Sequence, residues 1–440
     1  MLYEDNNFLI HYGIKGMHWG VRRFQNVDGS LTKAGRDRYR VSSGSFDSAR
    51  RYVQKRVSNR IEPIHREKID LQEVQKRGRL SRKEAEQCAE LATDLYEKAL
   101  KVEPEITKDV VTAVAQSGGS MYGLDYRLKQ PTSLAAKIGQ DAKEEKQSFE
   151  KAADSVNDVI RYTSVTEDDN FTKSYETVKK KLDDKGYAEI KCKNYFDQFR
   201  DGLVKHKSVQ SIFEDIEGNR FEMQFHTPSS QAVKNQKIPL YEERRKSGVS
   251  EERKRELEQQ MSQLADYISD PKGVFGIKAH IGADSKTQTG KIHAMKERLK
   301  ELEYSEYTKL QTPKETARKK SGSCHDQVLF EVDELRKAGL DPQALFVMEH
   351  SGSKGGMTHS LAYFMKNGKT YWVENAWSER AGIKGYKNLD EIKREIKKAH
   401  KSGEFGEKSK FSELSFGDFN LNQQVPGESL QELVNHIRWD

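Results

Sequence analysis

The dipeptide Asn367-Gly368 constrains the fold of this chain more than any other feature of its sequence. It lies between two aromatic-rich runs, THSLAYFMK and KTYWVENAW. Asn-Gly between such runs predicts a β-hairpin with a two-residue type I′ turn, because both turn positions then adopt a positive φ. A turn of that length pairs Lys366 with Lys369 and so fixes the register of both strands.

The predicted register brings two chemically useful side chains together. It places Leu361 opposite Glu374, so that His359, two residues before Leu361, lies on the same strand face as Glu374. Diagonal neighbours of this kind are roughly 7–8 Å apart at Cα, which is within side-chain reach. The hairpin therefore predicts an imidazole beside a carboxylate that can fix its tautomer.

A helix that begins at Cys324 is predicted from the segment SGSCHDQVLFEVDELRKAGLDP. A Ser-Gly-Ser turn precedes the cysteine, apolar residues then recur at helical spacing, and Gly339 and Pro342 end the helix. The unpaired amides and the positive dipole end of a helix start stabilise a thiolate, and the same amides can hold an oxyanion. Cys324 is therefore the candidate nucleophile.

Cys324, His359 and Glu374 complete the pattern of a nucleophile, a base and a group that orients the base. For any one of them alone, a buried structural cysteine or a histidine paired with a surface glutamate is the better interpretation. The helix-then-hairpin order favours the enzymatic interpretation for the three together. An HD dyad at His325-Asp326 would indicate a metal phosphohydrolase, but no further His and Asp ligands flank it at helical spacing, and it is set aside.

Residues 314–440 resemble the papain-like/transglutaminase-like superfamily, which places Cys at a helix N-terminus and His and an acid on successive strands. The matching positions are Cys324, His359 and Glu374, and YWVENAW is similar to the strand that delivers the acid in those domains. The resemblance implies an α+β domain that acts on an amide bond of a protein or peptide. The reaction is hydrolysis or acyl transfer, by a protease, a deamidase or a transglutaminase, and no cofactor is implied.

Cations are concentrated around a predicted helix start in the segment YRLKQPTSLAAKIGQ. Arg127, Lys129 and Lys137 lie on both sides of a turn at Pro131, and Ser133 is the predicted cap of the helix. Cations that converge on a helix start favour a polyphosphate site. Basic residues near a helix start are also commonly just solvated, and the segment alone leaves both interpretations open.

Two predicted strands add carboxylates to this region. The segment NDVIRYTSV predicts a buried strand, with Asp158 near its start and Arg161 within it. NRFEMQFHT alternates apolar and polar residues, which predicts a half-buried strand that presents Glu222, Gln224 and His226 on one outer face. Asp158 and Glu222 at the strand ends are candidate ligands of one Mg²⁺ ion.

The order of these segments resembles the synthetase domain of the RelA/SpoT family and its toxin-like relatives, which transfer pyrophosphate from ATP to a nucleotide or RNA 3′ hydroxyl. The resemblance implies a mixed-sheet nucleotidyltransferase domain that uses ATP and Mg²⁺, with a nucleotide or tRNA as acceptor. It implies that Asp158 is a magnesium ligand and that Glu222 is a magnesium ligand or a catalytic base. The cations that it implies contact phosphate are Arg127, Lys129, Lys137 and Arg161.

The N-terminal string HYGIKGMHWGVRR has too few periodic apolar residues to fold alone. It resembles a short element of head-region and other structural proteins of bacteriophages that infect Gram-positive bacteria. The resemblance implies a docking leader and a phage or prophage origin. It also implies phage head proteins as partners and a location in the host cytoplasm, with association with the virion.

The whole chain is predicted to be an α+β multidomain protein with a helical N-terminal region. Its three scattered cysteines exclude a disulfide framework and a cysteine-based zinc cluster. No apolar run approaches the roughly 20 residues that span a bilayer, so no membrane contact is expected. The predicted domains are a docking leader (1–45), a charged helical region (46–115), a RelA/SpoT-like domain (116–250), a helical and basic linker (251–313) and a thiol-enzyme domain (314–440).

The leading hypothesis from the sequence is a phage-encoded effector that combines both activities. The alternative is a virion structural or head-associated protein in which one or both enzyme-like folds are catalytically silent docking modules. The leader and the long charged helices favour that alternative. A formal net charge of +7 and a basic stretch at residues 286–320 leave nucleic-acid binding without catalysis as a third option.

Overall fold

Two six-stranded sheets, each with its own helices, organise the described part of this computed structural model. The predicted docking leader, up to residue 42, lies outside the described residues. The chain is a mixed α+β protein with a helical region near its N-terminus, as predicted. No helix in the described part is long and apolar enough to cross a membrane. The structure describes residues 43–197, 207–245, 248–265, 267–306, 309–350, 358–404, 413–419, 429–435 and 437–439.

The first sheet is mixed. Its strands are β1 (Ser120–Met121), β2 (Arg161–Val165), β3 (Ala188–Asn194), β4 (Val209–Glu214), β5 (Arg220–His226) and β6 (His280–Ile281). They lie in the order β1-β2-β5-β4-β3-β6. Strands β2 and β5 run parallel, and the other neighbouring pairs are antiparallel.

Helices from the first 265 residues surround this sheet and share one hydrophobic core with it. The longest begins with a capping box, in which Ser81 and Glu84 satisfy each other's backbone amides. The helices are α1 (Ser43–Arg56), α2 (Leu71–Gly78), α3 (Arg82–Gln116), α4 (Pro131–Glu144), α5 (Phe149–Asp154), α6 (Phe171–Lys185), α7 (Pro228–Arg245) and α8 (Glu251–Ala265).

The second sheet is antiparallel throughout. Its strands are β9 (Gln343–His350), β10 (Thr358–Lys366), β11 (Lys369–Glu374), β12 (Gly382–Tyr386), β13 (Glu413–Phe419) and β14 (Ile437–Trp439). Their order is β12-β11-β10-β9-β13-β14. A short parallel pair, β7 (Glu303–Tyr304) with β8 (Ser321–Gly322), precedes it.

Helices cover both faces of the second sheet because successive side chains of its strands point to opposite sides. One face packs against α9 (Gln288–Leu299) and α11 (Cys324–Lys337). The other packs against α12 (Leu389–Ser402). Two shorter helices complete the region, α10 (Pro313–Lys319) and α13 (Leu430–Val434).

The stretch 251–313, predicted above as a linker, contributes to both cores. Its first part buries Ile268, Val274 and Ile277 in the first core, and β6 then forms an edge of the first sheet. Its second part buries Ile292 and Met295 in the second core. The chain therefore passes from one sheet to the other through packed elements.

The hairpin that the sequence predicts is confirmed. Lys366 pairs with Lys369, and Asn367 and Gly368 have φ values of 53° and 77°, as a type I′ turn requires. The helix predicted from Cys324 is also present, and Gly339 follows its end with a φ of 80°.

Candidate active site

Cys324 is the first residue of α11, and a complete capping box fixes the helix start behind it. Ser323 accepts a hydrogen bond from the Asp326 amide, and the Asp326 carboxylate accepts one from the Ser323 amide at 2.9 Å. The Gln311 amide donates to the same carboxylate at 2.7 Å. Asp326 thus stabilises the start of the helix that carries the thiol. This role explains the Asp of the His325-Asp326 pair without a metal ion.

His359 and Glu374 meet as the hairpin register predicts. The distance between His359 Nε2 and Glu374 Oε2 is 2.6 Å, and both side chains are buried. The second carboxylate oxygen of Glu374 accepts a hydrogen bond from the Trp377 amide at 2.9 Å. Because both oxygens are held, the carboxylate orients the imidazole rather than following it.

The Cys324 thiol differs electrostatically from the other two cysteines. Burial opposes its ionisation, yet hydrogen bonds and charge from His325 and His359 lower its pKa to about 6. Burial instead raises the pKa of Cys88 to about 11 and raises that of Cys192 as well. Of the three cysteines, Cys324 is therefore the one that is mainly a thiolate near neutral pH.

The pKa of His359 is shifted in the opposite direction, upward. Its burial disfavours the cation, but Glu374 and the Cys324 thiolate more than compensate and raise the pKa of the imidazole well above its usual value. A thiolate beside an imidazolium is therefore the favoured state near neutral pH. The pair therefore places a nucleophilic sulfur next to a proton donor.

His325 is a member of this site that the sequence did not identify. Its Nδ1 lies 2.7 Å from the Ser360 hydroxyl, and its ring stacks on Phe346 at 5.3 Å. It lowers the pKa of the adjacent Cys324 thiol. In the sequence, only its position next to Cys324 indicated a role in this site. The orientation of its ring depends on Ser360 and Phe346, which lie in strands distant along the chain.

Glu331 is a second residue that the sequence did not identify. It lies seven residues after Cys324, hence on the same helix face, and its side chain is almost fully buried. Its Oε2 makes no hydrogen bond among the described residues. Burial and the nearby Glu374 raise the pKa of the Glu331 carboxyl well above its usual value. Burial and the nearby negative charge thus favour the protonated form of Glu331.

An amide pair ties the helix start to the end of β11. Gln327 donates to the Gly322 carbonyl at 2.9 Å and accepts from the Asn375 amide at 2.8 Å. Asn375 follows Glu374 directly in the chain. This contact holds the helix that begins at Cys324 against the strand that ends at Glu374.

The first sheet bears a basic cleft of about 470 Å³, lined in part by Lys129, Lys137 and Arg161. Lys129 Nζ lies 2.6 Å from Asp158 Oδ2, and Lys137 Nζ lies 3.6 Å from the other oxygen of Asp158. These four of the predicted residues therefore come together. Further charged and polar residues that line the cleft are Arg77, Asp141, Glu144, Gln130, Gln140, Ser133, Tyr126 and Tyr241, so that its cations outnumber its carboxylates.

The helix at this cleft begins earlier than predicted. Helix α4 starts at Pro131, with Gln130 rather than Ser133 at the cap position, because proline suits the first turn of a helix. The Ser133 hydroxyl accepts a hydrogen bond from Arg77 at 3.2 Å instead. Lys137 therefore lies in the second turn of the helix, beside the cleft.

Arg127 lies apart from the other predicted phosphate contacts. Its guanidinium is buried and forms an ion pair with Glu103, and it donates to the carbonyl oxygens of Glu62 and Leu124 at 2.8 and 2.7 Å. These partners occupy the groups that a phosphate would need. Arg127 is therefore better explained as a structural residue than as the phosphate contact that the sequence predicts.

Glu222 lies beside Arg161, its register partner on the adjacent parallel strand, and accepts a hydrogen bond from the Gln224 amide. Glu222 shares a strand face with Gln224 and His226. The alternation of apolar and polar residues predicts that this face is exposed to solvent, but Gln224 and His226 are buried. Lys234 from α7 donates to Gln224, so the helix covers this face.

The residues at the cleft are compatible with Mg²⁺ held between protein and phosphate. The Asp158 carboxyl remains ionised, because Lys129, Lys137 and Arg161 outweigh burial and lower its pKa. Asp158 Oδ1 is buried and makes no hydrogen bond among the described residues. Mg²⁺ usually binds one or two protein carboxylates together with substrate phosphates, and Asp158 would supply one of them. Glu222 is not among the described residues that line the cleft, and its Oε1 accepts a hydrogen bond from Gln224.

Comparisons with known proteins add few constraints. Residues 4–26 match a family of unknown function, DUF7211. The search of curated proteins gave no match. A solved chain from the crystal structure of the complex between the Type VI effector Tas1 and its immunity protein is 18% identical, over 40% of this chain and 94% of that chain, with a TM-score of 0.28. At that TM-score the similarity carries no argument about this chain.

Proposed function

We propose that residues 314–440 form a thiol enzyme that acts on amide bonds. Cys324 is the nucleophile, His359 the general acid and base, and Glu374 the group that orients His359. The observation that carries the proposal is the geometry: Cys324 begins a helix, and Glu374 Oε2 lies 2.6 Å from His359 Nε2. The lowered pKa of the Cys324 thiol, to which His359 contributes, supports it. A structural cysteine has no need of either feature.

The reaction follows from the two charged groups. The Cys324 thiolate attacks the amide carbon and forms a C–S bond, while the amides that begin α11 stabilise the oxyanion. Collapse breaks the C–N bond, and the His359 imidazolium gives its proton to the leaving amine. Water or a second amine then attacks the thioester, His359 accepts its proton, and the thiolate is restored. Hydrolysis and transfer differ only in that second nucleophile.

An assay with casein and a fluorescent primary amine tests this function and distinguishes its forms. Amine incorporation indicates a transglutaminase, ammonia release without amine incorporation indicates a deamidase, and new amino termini indicate a protease. Cys324→Ser is expected to abolish the activity, and Glu374→Gln to lower kcat by about 10²–10⁴, because the imidazole loses its orienting charge. Cys88→Ala is the matched control and should behave like the parent. Full activity in Cys324→Ser would refute the assignment.

We further propose that the first sheet and its helices form a RelA/SpoT-like pyrophosphate transferase. The basic cleft supports this, because Lys129, Lys137 and Arg161 are positioned to contact the phosphates of ATP. Asp158 and Glu222 would hold Mg²⁺, which neutralises phosphate charge when bound. A nucleotide or tRNA would supply the accepting hydroxyl.

Release of AMP from ATP in the presence of Mg²⁺ and mixed nucleotides or tRNA tests the second proposal. Lys137→Ala and Arg161→Ala are each expected to weaken ATP binding by about tenfold or more, through loss of a charge-assisted contact. Lys143→Ala, on the same helix but bonded to the Arg79 carbonyl, is the matched control. AMP release that persists unchanged in Glu222→Gln would remove the transferase claim.

Failure of both assays would favour the alternative of a virion structural or head-associated protein with silent docking modules. Co-sedimentation of the chain with phage capsids, and its loss when residues 4–26 are deleted, would then establish that role. The described strands of both sheets begin at Ser120 or later, so the deletion removes none of them.

A further inference from the structure

A third cluster of reactive side chains lies away from both proposed sites, where β3 meets β6 at the edge of the first sheet. Glu189 and Cys192 lie on β3, and His280 lies on β6 as the register partner of Cys192. The three ligand atoms are all within 4.8 Å of one another. Glu189 and Cys192 are buried, and His280 is partly exposed at the edge.

A β-bulge creates this convergence. Residues three apart on a regular strand point to opposite faces of the sheet. The pairing of β3 with β4 shifts between Glu189 and Lys191, so that one extra residue is accommodated. The bulge brings Glu189 and Cys192 to the same face, which is how bulges re-aim side chains at functional sites.

His280 is oriented as a metal ligand would be. Its Nδ1 lies 3.3 Å from the Lys278 carbonyl oxygen, so this nitrogen carries the proton and donates. Nε2 is then the atom with the free lone pair; it is buried, makes no hydrogen bond among the described residues and lies 3.6 Å from Glu189 Oε2. A backbone carbonyl that fixes the tautomer is the usual second partner of a metal-bound histidine.

Glu189 is also held in place. Its Oε1 accepts hydrogen bonds from the Tyr175 hydroxyl at 2.9 Å and from the Ser211 hydroxyl at 2.5 Å. Its Oε2, the oxygen nearest His280, is paired with Lys179 Nζ at 2.7 Å. The Lys179 side chain is 30% exposed, so its long stem can carry the ammonium into solvent.

We propose that Glu189, Cys192 and His280 bind a divalent cation of the zinc class, with Lys179 as the competing cation. One thiolate, one imidazole and one carboxylate suit Zn²⁺, which takes three protein ligands and one open position in sites that accept an external ligand. The two anionic ligands balance the charge of the ion. Lys179 neutralises Glu189 when no metal is bound and moves aside when the ion enters.

The binding is expected to release a proton. Cys192 must be a thiolate to bind the ion, which therefore displaces the thiol proton. Affinity should accordingly rise with pH through the neutral range.

Titration of the full chain with Zn²⁺ against a colorimetric chelator tests this site without any assay of enzyme activity. One equivalent of ion is expected to bind, and Cys192→Ser and His280→Ala should each weaken binding by about 100-fold or more, since each removes a ligand. Lys179→Met should tighten binding about tenfold or more by removing a neighbouring positive charge. Lys180→Met, on the exposed face of the same helix, is the matched control.

Absorption of the Co²⁺-loaded parent chain keeps the test valid if Cys192→Ser fails to fold. A thiolate-to-cobalt charge-transfer band is expected in the parent and in Cys88→Ser. Absence of that band, or Zn²⁺ affinity unchanged in His280→Ala, would overturn the proposal. The outcome is independent of whether either enzymatic proposal holds.

Discussion

Iodoacetamide is expected to alkylate Cys324 at pH 7 roughly 10²-fold faster than Cys88. The pKa of Cys324 is about 6 and that of Cys88 about 11, which makes the thiolate fraction about 10⁴ larger at Cys324. A less basic thiolate is also a weaker nucleophile, and this reduces the advantage by about 10². Cys324 is 5% exposed and Cys88 is fully buried, so access adds to the difference.

The pH dependence of alkylation, followed by mass spectrometry of the three cysteine peptides, identifies the origin of this reactivity. In the parent chain the Cys324 rate should rise through about pH 6 and then level off. His359→Ala should move that rise to higher pH, because the imidazolium no longer stabilises the thiolate. The Cys88 profile should be the same in both chains. An unchanged Cys324 profile in His359→Ala would exclude the ion pair.

The sign of each pKa shift predicts the window of enzyme activity. The thiolate is lost as pH falls below about 6, so activity should decline there. The pKa of His359 is raised well above its usual value, so the imidazolium and its proton are retained through neutral pH and lost only as pH rises further. Activity is therefore expected to be maximal between these two limits.

The sequence could predict the hairpin that carries His359 and Glu374, because the rules that determine a hairpin are local. A two-residue turn determines the register, and the register determines that His359 and Glu374 share a face. The helix start at Cys324 is local in the same sense, since its cap comes from Ser323 and Asp326. These features needed no knowledge of the distant chain.

Other parts of the site depend on contacts that no local rule contains. His325 is directed by Ser360, which lies 35 residues away in the chain. The sequence of β5 alternates apolar and polar residues, which is typical of a strand with one solvent-exposed face. Helix α7 nevertheless covers that face, and its Lys234 donates to Gln224. Similarly, Glu189 and Cys192 meet only because of a bulge whose position is set by pairing with another strand.

Arg127→Met is expected to lower the free energy of unfolding of the first sheet region by about 3–5 kcal/mol, because Glu103 is then left buried without its ion-pair partner. Native-state hydrogen exchange of the α3 amides reports this opening in the intact chain. Lys137→Met, at the cleft surface, should change the free energy of unfolding by less than about 0.5 kcal/mol.

The double variant Glu103→Leu/Arg127→Met should recover a large part of the lost stability, since a buried ion pair that is replaced as a unit leaves no lone charge. If Arg127→Met instead keeps its stability and loses ATP binding, Arg127 belongs to the phosphate site after all.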